Sequence, residues 1–263
     1  MKQTMTLSLI VAVLILSIGC LSKENDVHVI SNVNSMDLEI LIEPGEHWIH
    51  KMPILGFLKM KNRPQIAIWV EDDAGNFVQN LYVTRKTATQ GWLKGPGDPT
   101  PKNEIRRYES LPYWMHRQNH EFEPGILMPT KKHPLPAFVT SATPKGRTNI
   151  IRSIADSSKT YIIHLEINQS TDFNDFYAAN KKAGETGYNG GKWGSGQPSM
   201  VYTASINQDS EGKEIIFQLL GHGSPDGSDG KLYEDMGKIS TATSIIKYAR
   251  LNAQTKLDTP FEK

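Results

Sequence analysis

Proline and glycine interrupt this chain so often that neither a long helix nor an alternating strand-helix rhythm fits into it. Twenty-one glycines and fifteen prolines stand among 263 residues, and proline breaks a helix interior and removes a donor from a central strand. Between the interruptions lie short β-prone runs: Val27–Ile30, Leu38–Ile42, Gln65–Glu71, Asn76–Val83, Thr160–Ile167, Met200–Ile206 and Glu214–Leu220. Asp72–Gly75 joins the third run to the fourth, and a closing glycine of this kind predicts a hairpin over residues 65–83. Asp209–Gly212 predicts a second hairpin between the runs at 200–206 and 214–220. The last run, Ala242–Ala253, is dense in β-branched residues and reads as a strand after a brief helical turn. Six to eight short strands with turns between them predict an all-β, two-layer antiparallel sandwich with long irregular loops, in a single domain over residues 38–263.

Residues 85–160 read as a long insertion. Prolines at 96, 99, 101, 112, 124, 129, 134, 136 and 144 punctuate it, and structureless segments of this length are usually functional. Within it, Ser110–Arg117 predicts a short helix with Ser110 as cap and Pro112 in the first turn.

A single cysteine, Cys20, excludes intramolecular disulfides, cysteine-ligated zinc, iron–sulfur clusters and covalent c-type haem. Stability then has to come from apolar burial and sheet hydrogen bonding. Cys20 follows Lys2 and the apolar stretch Leu7–Ile18, which is shorter than the roughly 20 residues of a spanning helix and has the form of a signal peptide. Ser17-Ile18-Gly19-Cys20 resembles a bacterial lipoprotein processing site, with Leu16 one place earlier than the common pattern. Residues 1–19 are thus expected to be a signal peptide, Cys20 the lipidated residue, and 20–37 a tether. Removing 1–19 takes one basic residue, Lys2, from 29 and none from 28 acidic ones, leaving a formally neutral chain. Its membrane anchor is therefore the lipid on Cys20 without a polybasic signal, and nucleic acid, which demands a positive excess, is not an expected partner. The residue after Cys20 is not Asp, which favours the outer membrane of the cell envelope by analogy with Gram-negative sorting.

Ile68–Val78, Ser141-Ala142-Thr143-Pro144 and Gly196-Gln197-Pro198-Ser199 with the strand after it resemble a bacterial family of predicted periplasmic proteins, domain of unknown function 2271. The resemblance implies an immunoglobulin-like or fibronectin-type sandwich. Phe138-Val139-Thr140 stands where that family usually carries Asp and Gly, and no catalytic residue is transferred.

For chemistry, His116 and His120 have the i,i+4 spacing of two metal ligands on one helical face, without the Glu of H-E-x-x-H. Against a metal stands the ordinary role of histidine as a surface or hydrogen-bonded residue. His47 and His50 carry the same two readings, while His222, in Gly221-His222-Gly223-Ser224 after a β-prone run, reads either as part of a histidine-based site or as a polar loop residue capping the sheet edge. Asp226-Gly227-Ser228-Asp229-Gly230 places oxygen ligands at short spacing, but Gly237 occupies the twelfth position, where an EF-hand loop needs Glu. A looser calcium turn at Asp226, Ser228 and Asp229 is the cofactor reading left, beside the commoner one that Asp and Gly build tight turns. No serine-hydrolase elbow or phosphate loop occurs. Trp92, Trp114 and Trp193 fall in Gly- or Pro-rich connections, where an aromatic either offers a stacking platform or plugs a satellite core. The leading expectation is an envelope binding module that takes a partner protein or glycan through loops 85–145 and 184–199. The alternative is an envelope enzyme or redox accessory protein with a histidine-based site.

Overall fold

The computed structural model describes residues 25–28, 35–55 and 58–255. Among them are thirteen strands: β1 Asn25–His28, β2 Ser35–Pro44, β3 His50–Leu55, β4 Leu58–Asn62, β5 Gln65–Asp72, β6 Phe77–Thr84, β7 Thr140–Ser141, β8 Thr148–Ala155, β9 Tyr161–Asn168, β10 Met200–Ile206, β11 Glu214–Ile216, β12 Gln218–His222 and β13 Ile246–Thr255. Two short helices lie in the insertion, α1 Arg85–Ala88 and α2 Pro112–Arg117. One sheet has the order β1-β8-β2-β13-β11, the other β12-β10-β9-β5-β6-β7, and β3-β4 forms a separate ribbon. The fold is all-β, and the two large sheets pack as a mainly antiparallel sandwich. Its parallel pairs are β1 with β8 and β6 with β7. Cys20 and the rest of residues 1–24 lie outside the described residues.

Alternation of side chains explains the two layers. Met36, Leu38, Ile40 and Ile42 of β2 point inward with Ile150 and Ile154 of β8 and Ala249, Leu251 and Ala253 of β13. They meet Ile66, Ile68 and Val70 of β5, Ile163, Leu165 and Ile167 of β9, and Met200, Tyr202, Ala204 and Ile206 of β10 in one core. On the first sheet's other face Glu39 accepts from Asn149 Nδ2 at 2.6 Å and Glu43 pairs with Arg147 at 2.5 Å.

The six-stranded sheet is covered on both faces. Ala67 and Trp69 of β5 and Val83 of β6 face a second cluster with Ala88, Leu111, Trp114, Met115, Met128, Leu135 and Val139, all supplied by the insertion. This third layer explains why β5 is buried along nearly its whole length, and why polar residues on the outer face, Gln65, Glu71, His164, Glu166 and Asn168, are buried too.

The 65–83 hairpin forms as β5–β6. Asp72 Oδ1 accepts from the Ala74 and Asn76 amides at 3.0 and 2.8 Å, and Gly75 closes the turn at φ +80°. The C-terminal run is β13 after a 3₁₀ turn at Thr241–Ser244. Three expectations change. The 214–220 run is split between the layers: β11 pairs with β13 in one sheet, and β12 pairs with β10 in the other. Phe217 at the crossover is buried, its amide donating to Ala249 O at 3.0 Å. The insertion ends at 147 rather than 160, because Thr148–Ala155 is β8, whose Asn149 and Arg152 mask its alternation. Strands also occupy 25–28 and begin at 35, inside the stretch read as a tether.

Candidate functional site

Helix α2 begins against the sheet. Its first amides at Tyr113 and Trp114 donate to Glu166 at 3.2 and 2.7 Å, and Ser199 Oγ donates to the same carboxylate at 2.5 Å. A strand residue therefore supplies the acceptor that the sequence suggested Ser110 would provide; the capping position is Leu111, without a side-chain cap. The carboxyl is enclosed, and burial pushes it up to about 7 against these hydrogen bonds. At the other end of α2, Arg117 Nε donates to Glu71 Oε1 at 2.7 Å. Trp69 Nε1 donates to the same oxygen at 2.9 Å, and His164 Nε2 lies 3.4 Å from Oε2. Burial would raise Glu71, but the bonds from Arg117, His164 and Trp69 hold it at about 2. These two carboxylates fasten α2 to β5 and β9.

Fixing α2 fixes the segment before it. Residues 92–96 and 107–110 meet residues 170–171 and 193–195 and the ribbon side chains Met52 and Met60 around a cleft of about 250 Å³. Glycine is required once in its wall and once behind it. Gly95 lies flat on the Trp193 indole, so a Cβ there would fall 2.3 Å from Trp193 Cδ2. Gly190, at φ +73°, rests on Glu109, where a Cβ would fall 2.3 Å from Oε1. Ser195 Oγ donates to Asn168 Oδ1 at 2.7 Å, and Arg107 is paired with Asp98 at 3.1 Å.

Three residues lining this cleft carry buried polar atoms with no hydrogen-bond partner: Trp92 Nε1, Glu109 Oε1 and Ser110 Oγ. The residues are 9%, 5% and 2% exposed. Unsatisfied buried groups each cost about 1–3 kcal/mol, so three around one cleft mark it out from the rest of the surface. Burial pushes the Glu109 carboxyl up to about 7, against the pull of the Arg107 guanidinium and with the push of Asp226. Near neutral pH it is therefore available as a hydrogen-bond donor as well as an acceptor.

Of the three tryptophans, Trp92 and Trp193 come together in this cleft. Trp114 does not: it is 0% exposed in the second core, its indole N–H donating to Asn80 Oδ1 at 2.7 Å, and so it is a plug rather than a platform. His116 and His120 go separate ways. His116 Nε2 lies 3.4 Å from Gly227 O, while His120 is exposed, with its ring edge-on to Phe122 at 4.7 Å. Among the described residues no three His, Cys, Asp or Glu side chains are grouped to hold a metal ion. His222 is buried against the Tyr233 ring, its Nδ1 2.7 Å from Gly223 O. In the Asp226–Gly230 turn, Asp226 Oδ1 accepts from Ser224 Oγ and the Ser228 amide, both at 3.0 Å. Asp229 accepts from the Lys231 amide and Tyr233 OH, also at 3.0 Å, so both carboxylates are engaged in shaping the turn. Glu109, Ser110 and Arg107 carry no local signature as site residues. Their only signal is an acidic and hydroxyl pair placed just before a Leu-Pro helix start.

No family model, curated protein or solved structure matches this chain. Among the described residues no helix is long and apolar enough to cross a membrane.

Proposed function

We propose that this protein is a lipid-anchored binding module of the bacterial envelope, held through Cys20, which takes a glycan in the cleft between Trp92 and Trp193. The observation that carries the reading is the set of unpartnered buried atoms on Trp92, Glu109 and Ser110 around one aromatic-walled cleft. An indole N–H, a carboxyl and a hydroxyl suit the alternating donors and acceptors of a sugar ring, and aromatic side chains suit its apolar C–H faces. At about 250 Å³ the cleft lies just below the roughly 300–1,000 Å³ of drug-sized sites, which fits one sugar unit or a chain end rather than a folded partner. The lipoprotein processing pattern at 17–20 supports the compartment, and the likeness of Ile68–Val78 to predicted periplasmic proteins points the same way.

The test is tryptophan fluorescence during titration with glucose, galactose, mannose and N-acetylglucosamine and their short oligomers. A saturable change is expected with at least one series. Trp92→Phe, which keeps a smaller aromatic ring and removes the N–H, is expected to weaken it by roughly tenfold, the loss of one hydrogen bond to a site built for it. A flat response across the whole panel would refute the glycan reading.

A further inference from the structure

The ribbon β3–β4 has two chemically different faces. Met52 and Met60 are paired across it and line the aromatic cleft. On the alternate face Lys51 stands directly opposite Lys61, with Lys59 two residues away on the same strand. Like charges opposite each other in an antiparallel pair are mutually destabilising. Continuing the alternation, Lys61 and Arg63 meet Arg85 and Lys86 of α1 around a second cavity of about 350 Å³, completed by Thr89 and Thr143.

Among the described residues no carboxylate lines this cavity. Among the described residues none of the side chains of Lys61, Arg63, Arg85 and Lys86 has an ion pair, and none donates a hydrogen bond; Arg63 Nε is buried without a partner. The two hydroxyls are already committed, Thr89 Oγ1 donating to Arg85 O at 2.8 Å and Thr143 Oγ1 to Pro64 O at 3.0 Å. The free donors are therefore all cationic. In a chain whose acidic and basic residues nearly balance, four uncompensated cations around one concavity are a local excess that a multiply charged oxyanion relieves. Two guanidiniums suit its paired oxygens, and two ammoniums suit its charge.

We propose that this second cavity binds a phosphate or sulfate group, carried as an ester on a larger molecule. Its volume exceeds what a lone oxyanion fills, and Lys86 lines both this cavity and the aromatic cleft, so an acidic saccharide could engage the two together. The site itself does not depend on the glycan reading of the cleft.

Isothermal titration of the full-length protein at low ionic strength tests the proposal with four probes: inorganic phosphate, sulfate, glucose 6-phosphate and a short-chain phosphatidylglycerol. One-to-one binding of at least one is expected, weakening by about tenfold or more when salt is raised from 20 to 200 mM. Glucose 6-phosphate as the tightest probe identifies a sugar ester as the source, and the phospholipid as the tightest identifies a headgroup. The exposed substitutions Lys61→Gln, Arg85→Gln and Lys86→Gln, combined, are expected to reduce the affinity at least tenfold, whereas Trp92→Phe leaves inorganic phosphate binding unchanged. Failure of all four probes to bind, or undiminished binding by the triple variant, would overturn it.

Discussion

At the residue scale, Glu109 has the most distinctive environment in the described structure. It combines a buried oxygen without a partner, a glycine pressed against it and a carboxyl raised to about 7. A carboxyl whose pKa is raised on folding contributes stability that is complete below the unfolded value of about 4.3 and is lost as pH rises through about 7. Glu109→Gln removes that loss. Urea unfolding at pH 8 is expected to show the variant roughly 1–3 kcal/mol more stable than the parent, with little difference at pH 5; equal midpoints at pH 8 would contradict the assignment. Nothing local in Tyr108-Glu109-Ser110 announces this role, because the burial comes from Gly190 and the 190–195 segment, about eighty residues later in the chain. Trp92 and Trp193 were legible as candidates because large aromatics in Gly-rich connections attract notice. Trp114 looked the same in sequence and proved to be core. The difference lies in what packs over each, which side-chain type does not encode.

At the scale of elements, the attachment of α2 to the six-stranded sheet decides the geometry of the cleft. Glu166 accepts from two helix amides and Ser199, so Glu166→Ala leaves three donors without their acceptor. Equilibrium denaturation at pH 6 is expected to show a loss of roughly 2–5 kcal/mol, and the fluorescence response of Trp92 and Trp193 to any ligand should weaken with it. Phe217 tests the strand switch. Its burial at the crossover from β11 to β12 predicts a cost of about 3–5 kcal/mol for Phe217→Ala, read as a lowered thermal midpoint. A value within 0.5 kcal/mol of wild type would mean that the crossover is not anchored there. The hairpin β5–β6 is legible in the sequence because its turn is closed by contiguous residues, Asp72 to Asn76. The division of the 214–220 run between sheets is not, since a run of β-prone residues reads the same whether one partner strand or two lie alongside it.

For the whole molecule, opposing titrations of buried carboxyls are expected to shape how stability varies with pH. Glu109 and Glu166 both rise to about 7 and weaken the fold as pH climbs from about 4.3 through 7. Glu71, held at about 2, contributes stability that is present above about 4.3 and is lost as pH falls towards 2. The thermal midpoint is therefore expected to peak near pH 4.5–5.5 and to decline on both sides. A profile still rising between pH 5 and 8 would show that these buried acids do not govern it. The proposed anchor is tested at the same scale: Cys20→Ala is expected to move the protein from the detergent phase to the aqueous phase in a phase-separation assay, because no polybasic patch supplements the acyl chains.

What the sequence by itself determined is the β class, the first hairpin, the final strand with its preceding turn, and the absence of an intramolecular disulfide. Those features depend on contiguous residues and on composition, which a linear reading contains. The third layer, the transfer of one run between two sheets, the buried acids and both cavities were decided only in the tertiary structure. Each depends on segments distant in the chain excluding water from a group together, and desolvation is a property of surroundings rather than of the residue desolvated.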